Sequence, residues 1–152
     1  MRLALFQPDI PQNVGAAIRL AACLGVELDI IEPCGFTIGD RGLRRAAMDY
    51  AGLVRVERHF SHADFAAGAA KRGQRVVLLT TRASLGLYDF AFRPDDVLLV
   101  GRESAGTPAE VHESADATIR IPMAAGARSM NVVTAAAIAL AEALRQTAAG
   151  PV

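Results

Sequence analysis

The chain has 152 residues, 52% hydrophobic and 21% charged, and its 16 basic and 16 acidic side chains give a formal net charge of zero. That length suits one domain with a buried core, and the composition excludes a disordered or collagen-like chain. A neutral total gives no long-range attraction to nucleic acid or any other charged partner, so such a partner has to be argued from a local patch.

The opening, MRLALFQPDIPQN, holds a short apolar run with one basic residue and with Pro8 and Pro11 directly behind it. It is too short for the apolar centre of a secretion signal, so a cytoplasmic location is expected, and RLALF (2–6) reads as a strand. Helical spacing follows from Val14 to Leu24, then a strand over VELDII (26–31), a helical pattern from Asp40 to Met48 and a strand over LVRV (53–56). His62 to Ala70 is again helical; RVVLLTT (75–81), DVLLVG (96–101) and ATIRIP (117–122) are three further strands, and Ser129 to Thr147 is a final helix. Strand alternating with helix predicts one α/β domain over residues 1–152, with a mainly parallel sheet and helices on both faces. VVLL and VLLV are apolar without alternation, as strands covered on both faces must be, and are the expected central strands.

In the final helix Val132, Ala136, Leu140 and Leu144 fall on one line with Val133, Ala137 and Ala141 beside it, a wide face of methyl groups that lets another backbone come close. Ser129 is the expected cap, Arg145 suits the negative end, and Gly150-Pro151 closes the helix. The weakly polar run from Val132 to Ala141 is far short of the roughly 20 residues that span a bilayer, so no membrane segment is expected.

Ligands of open α/β sheets bind beyond the carboxyl ends of the strands, which points to TTRAS after residue 79, GRESAG after 100 and PMAAGARSMN after 121. The turn after the first strand, QPDIPQNVG, has one glycine and lacks the dinucleotide fingerprint; no GxxxxGK[ST] phosphate loop occurs. Ser104 lies in RESAG, outside a nucleophile elbow. Cys23 and Cys34 match no zinc spacing and suit reduced thiols, and His59 and His62 read as surface histidines at a helix start with no further ligands, so no metal is expected.

Three blocks then carry a resemblance. Asn13-x-Gly15 with Arg19 and Gly25 in NVGAAIRLAACLG, then VGRESAGTP, then IPMAAGARSMNVVTAAAIAL resemble, in order, the three motifs of the SPOUT class of RNA methyltransferases. IEPCGF and GLRRAAMDY resemble its small bacterial subgroup, which 2′-O-methylates the wobble nucleotide, position 34, of certain leucine tRNAs. The resemblance covers nearly the whole chain. It implies the SPOUT fold with a C-terminal deep trefoil knot, S-adenosylmethionine as methyl donor with no metal, tRNA as substrate, and a homodimer joined through the first and last helices. Gly126 and its small neighbours would then let the chain turn after Pro122, and the alanine face would let the threaded helix pack close.

By the same resemblance Leu79, Thr80, Gly101, Glu103, Ile121, Met123 and Ser129 line the cofactor pocket, where backbone groups can read an adenine edge without charged side chains. The apolar ones among them would look the same as ordinary core. Arg19 stands alone in an apolar helical stretch; the resemblance implies that it meets the ribose 2′-hydroxyl and the neighbouring phosphate, and a snorkelling surface arginine is the plain alternative. Free guanidinium is a poor general base, so orienting the hydroxyl is the expected role. Asn13 and Asn131 are expected beside Arg19, although asparagine also serves turns and caps, and Glu103 is a candidate partner for Arg19, within the chain or across a dimer. Arg41, Arg44 and Arg45 fall on one side of a helix, with Arg55 and Arg58 soon after, as a basic ridge for RNA phosphates or a solvated face. One departure stands at Ala141, where relatives usually carry a tyrosine that contacts substrate. The alternatives are a 2′-O-methyltransferase for another tRNA or rRNA position, and a non-catalytic RNA- or nucleotide-binding module of the same fold.

Overall fold

A computed structural model of the chain describes residues 1–37, 50 and 52–147. In chain order these hold β1 (Arg2–Phe6), α1 (Pro11–Leu24), β2 (Glu27–Ile31), β3 (Val56–His59), α2 (His62–Lys71), β4 (Val76–Leu79), a 3-10 turn (Leu87–Asp89), β5 (Val97–Val100), α3 (Ala109–Ser114), β6 (Ala117–Ile119) and α4 (Val132–Thr147). The helical pattern read over Asp40 to Met48, and Gly150-Pro151, lie outside the described residues.

One six-stranded sheet has the order β3-β2-β1-β5-β4-β6 with every pair parallel. Period-two alternation divides each strand between two cores. Leu3, Leu5, Leu28, Ile30, Val77, Leu79, Leu98 and Val100 face α1 and α4, whose Val14, Ala17, Ile18, Ala136 and Leu140 complete one core. Ala4, Phe6, Ile31, Leu78 and Leu99 face the other way, onto Phe65 and Ala69 of α2 and Val111 of α3. β4 and β5, read as the central strands, are buried at every position, as is β1 between β2 and β5.

The third strand forms over Val56–His59, three residues later than read, because it is an edge strand whose Val56 and Arg58 are exposed and whose apolar signal is weak. α3 was not anticipated: six residues after Pro108 are too few to display a helical period. On α4 the buried stripe is Ala136, Ala139, Leu140, Ala143 and Leu144, whereas Val133 and Ala137 are half-buried and Ala141 is exposed. The row expected beside the buried line therefore runs from Val133, which still packs against the core, outward to Ala141.

One of the two histidines is corrected: His62 opens α2 as read and is half-buried, whereas His59 lies inside. His59 is 4% exposed, its Nε2 lies 2.7 Å from Asp29 Oδ1, and its ring sits edge-on to Phe65. Asp29, Glu57 and His59 come together under α2, a grouping that was not expected around this pair. The guanidinium of Arg2 already serves these acids, with Nε donating to Asp29 Oδ2 at 2.7 Å and Nη2 donating to Asp29 Oδ1 at 2.8 Å and Glu57 Oε2 at 3.0 Å, and with Glu27 on Nη1. Positions 2, 29, 57 and 59 meet only because β1, β2 and β3 are neighbours in register.

β1 sends its connection toward β2, and β5 connects toward β4 and β6, so connections diverge at the β1/β5 boundary. A crevice outside the carboxyl ends of the strands forms at such a switch point.

Candidate active site

Three segments leave this rim together: the turn after β4, the turn from β5 into α3, and the tail between β6 and α4. They enclose a cavity of about 310 Å³, within the size range of small-molecule sites. Leu79, Thr80, Gly101, Glu103, Ile121, Met123 and Ser129 all line it, so the structure brings together every residue expected at the pocket. Leu79 belongs to the core as well, at 9% exposed, while Ile121 and Met123 are half-buried and Ser129 is exposed. Arg82, Arg102 and Thr107 line it too and were not singled out in the sequence, where nothing local distinguishes them from solvated loop residues.

The turn after β5 is closed by paired backbone bonds, with Arg102 N donating to Gly106 O at 3.2 Å and Gly106 N donating to Arg102 O at 2.8 Å. Gly101 is what allows it: a Cβ there would lie 2.9 Å from the Gly106 carbonyl carbon and 3.1 Å from Thr107 N, closer than packed atoms come. In the tail, Gly126 has φ of 86°, a left-handed conformation open to glycine, which gives the bend read from the small-residue stretch its local cause.

A chain of polar bonds ties two of the three segments, the turn after β5 and the tail, to α1. Asn13 Nδ2 donates to Glu103 Oε1 at 2.9 Å, and Asn131 Nδ2 donates to Asn13 Oδ1 at 3.1 Å. Asn131 Oδ1 in turn accepts from Val133 N at 2.9 Å and Thr134 N at 3.2 Å, so the cap of α4 is Asn131 and not Ser129, which is left to face the cavity. Asn131 thus serves the cap chemistry weighed as its alternative, whereas the Asn13 side chain caps nothing and bonds only Glu103 and Asn131. Asn131→Ala is expected to cost about 1 kcal/mol of stability by removing the cap, read from the shift in a urea unfolding midpoint.

Glu103 sits behind this chain. Its Oε2 accepts from Asp9 N at 3.1 Å, and Ser104 Oγ donates to Asp9 Oδ2. Burial, and then Asp9, push Glu103 above the usual carboxylate range, while Glu103 and then Ser104 hold Asp9 down to about 2. A depressed carboxylate stabilises the fold above its unfolded pKa, and the contribution is lost as pH falls toward the folded value. Glu103 has the opposite sign: the proton it keeps favours the fold at low pH, and that contribution is lost as pH rises through its raised pKa. Asp9→Asn is therefore expected to lose less stability than the wild type between about pH 5 and pH 3, measured by urea unfolding at the two values.

Arg19 is placed elsewhere. Six residues after Asn13, it lies about 240° around α1, given about 100° per residue. Its side chain is exposed, with Nη2 donating to the Tyr50 hydroxyl at 3.5 Å and the guanidinium 4.8 Å above the Tyr50 ring. It does not line the cavity, and Glu103 is bonded to Asn13 and Asp9 instead of to Arg19. Arg41, Arg44 and Arg45 lie outside the described residues. Arg55 and Arg58, read as part of the same ridge, stand 3.9 Å from Glu27 and 2.7 Å from Glu32, so each shares its charge with a carboxylate.

No helix among the described residues is long and apolar enough to cross a membrane.

Comparison with known proteins gives one consistent result. A family model described as the SpoU rRNA Methylase family matches residues 1–141. The chain is 58% identical over 147 residues to a tRNA (cytidine(34)-2′-O)-methyltransferase of Beijerinckia indica subsp. indica, covering 97% of this chain and 92% of that one. It is 38% identical over 148 residues to a protein of the same name from Escherichia coli strain K12, covering 96% and 93%. Among solved structures, one concerned with the 2-OH methylation of C/U34 on tRNA superposes with a TM-score of 0.90 at 43% identity, covering 95% of this chain and 94% of that one. The SpoU methyltransferase AviRb from Streptomyces viridochromogenes, solved in complex with AdoMet, superposes with a TM-score of 0.89 at 27% identity, covering 96% of this chain and 60% of that one.

Proposed function

The chain belongs to the SpoU rRNA methylase family as an S-adenosylmethionine-dependent RNA methyltransferase, and on that footing we propose that it methylates the ribose 2′-hydroxyl of nucleotide 34 in tRNA, with leucine tRNAs as substrates. The supporting observation is the cavity itself, which gathers the three strand-end turns around small side chains and open backbone groups, with the Glu103–Asn13–Asn131 chain behind one wall. The fit to the donor is chemical: a flat adenosyl group suits walls made by Gly101, Leu79 and Ile121, and Glu103, among the described residues the one carboxyl group lining the cavity, is engaged by Asn13 and Asp9.

S-adenosylmethionine, when bound, supplies a methyl group already activated on sulfur. The protein's own contribution is to hold the ribose oxygen in line with that methyl group and to exclude water. Leu79, Val100 and Ile121 make the apolar part of the wall. Asn13 and Asn131, each bonded at both amide ends within the polar chain, are assigned to holding the turn after β5 and the start of α4 in place beside the cavity, and Arg19 is assigned the orientation of the 2′-hydroxyl.

The exposed position of Arg19 supports action across a homodimer. In this reading the outward faces of α1 and α4, including Val133, Ala137 and Ala141, form the interface, and Arg19 of one protomer completes the cavity of its partner. Arg41, Arg44 and Arg45 are assigned to the anticodon-arm phosphates, and the cytoplasm, where tRNA is found, is the expected location.

The tail is assigned a deep trefoil knot. After β6 at one sheet edge, Arg120 is bonded to Leu85 and Leu87 of the β4–β5 connection, and at the far end of α4 Gln146 is bonded to Phe90 and Phe92 of that same connection. Contacts at both ends with a single crossing loop are what a threaded tail requires.

The test is incubation with labelled S-adenosylmethionine and total tRNA from a strain lacking this protein, followed by mapping of the label. Label on the ribose of nucleotide 34 is expected; label on a base, at another position, or in no RNA overturns the reading.

A further inference from the structure

A second cleft opens beside the first cavity and shares Arg82, Arg102 and the 105–107 turn with it. Its remaining walls are Phe6, Gln7 and Pro108, so among the described residues two arginines and no acidic side chain face one space. Arg2, Arg58, Arg75 and Arg145 each meet a carboxylate within 3 Å; among the described residues neither Arg82 nor Arg102 meets one within 4 Å. Arg102 is nevertheless fixed, because its Nε donates at 3.2 Å to the carbonyl of Gln7, a residue held at a positive φ of 44°. That bond leaves the two terminal nitrogens of the guanidinium fork for another acceptor. Arg82 is carried on the turn after β4, where its backbone N–H donates to Thr80 Oγ1 at 3.3 Å. The floor is rigid: Phe6 is 4% exposed and Thr107 is 5% exposed. Two like charges in one cleft repel until an anion arrives between them, and a guanidinium pair matches the oxygens of a phosphodiester.

We propose that this second cleft is a phosphate subsite, in which Arg82 and Arg102 hold the RNA backbone phosphate next to the ribose presented at the first cavity. The proposal rests on the RNA substrate assigned above. It gives the neutral chain a local anion site built into the rim, on the same turn as Gly101 and Glu103, so that RNA position and donor position are set by one piece of backbone. The shared chemistry is oxyanion binding, and the other source of such an anion is the carboxylate on the donor's amino-acid tail.

The experiment separates these sources with the full-length protein, using Arg82→Gln, Arg102→Gln and the double variant. Affinity for a tRNA transcript is measured across a range of salt concentrations, and affinity for S-adenosylhomocysteine is measured by calorimetry. The expected result is a loss of tRNA affinity of about tenfold per substitution, a fall of about 0.7–0.9 in the slope of log K against log salt for the double variant, and a smaller loss of donor affinity, since both arginines also border the first cavity. A wild-type far-ultraviolet circular dichroism spectrum and a cooperative melting transition report that the variants are folded. Unchanged tRNA affinity and slope in variants of a wild type that does methylate nucleotide 34 overturn the subsite alone. Loss of S-adenosylhomocysteine affinity with tRNA binding intact overturns it in favour of the donor carboxylate. A wild type that binds no tRNA overturns the subsite together with the proposed function.

Discussion

Arg19→Ala is expected to lower methyl transfer by about 10³-fold while leaving S-adenosylmethionine affinity within about twofold of wild type. The side chain is exposed and lines no part of its own chain's cavity, so its removal disturbs neither the core nor the donor walls. Under the proposed role, what it removes is an orienting charge at the ribose oxygen. The position also makes a statement about which protomer is served. If Arg19 completes its partner's cavity, mixing Arg19→Ala with a variant whose cavity is destroyed gives mixed dimers with one whole site, and an equal mixture recovers about one quarter of wild-type activity. If Arg19 serves its own chain, every site in the mixture lacks something, and no activity returns. Steady-state kinetics on the single variant and on the mixture check both parts, and full activity of Arg19→Ala sinks the assignment.

Gly101→Val is the cavity-destroying partner for that experiment, and it is expected to weaken donor binding by about 10²-fold, or about 2.7 kcal/mol. The atoms a Cβ would meet are backbone atoms of Gly106 and Thr107, which belong to a turn closed by two hydrogen bonds and cannot swing aside as a flexible side chain would. The turn has to move as a unit, and Glu103 moves with it, drawing on the bonds to Asn13 and Asp9. Overpacking of this kind costs about 1–3 kcal/mol of stability, so a lowered melting temperature is expected beside the lost affinity. Calorimetric titration with S-adenosylmethionine decides it: wild-type affinity in Gly101→Val would remove the turn after β5 from the donor site.

The reading of Arg19 shows where sequence patterns stop. Its isolation in AAIRLAACLG was plain, and a buried guanidinium would have needed partners. The structure removes that need by placing the side chain in solvent, a matter of where the apolar stripe of α1 points relative to the sheet. Ser129 taught a similar point. A serine before an alanine-rich run is a reasonable cap, but the helix begins three residues later, at Val132, because Asn131 both caps it and reaches Asn13. Those two asparagines are 118 residues apart in the chain. His59 departs from its reading as a surface residue for the same reason, since Asp29 and Arg2 come beside it only through strand pairing.

By itself the sequence determined the strands and helices that carry strong periodicity, the two fully apolar central strands, and the three turns in which the cavity residues lie. These are local properties, set by the alternation of apolar and polar side chains and by small residues at bends, and a family resemblance could be attached to them position by position. Only the tertiary structure decided which turns meet, that Arg19 looks away from Asn13, that Glu103 answers to Asp9 and Asn13, and that Arg82 and Arg102 share a cleft empty of acids. Those facts depend on β5 lying beside β1 and on the tail returning from β6 to the middle of the sheet. Strand order is fixed by the packing of the whole chain around two cores, and no short stretch of residues contains it.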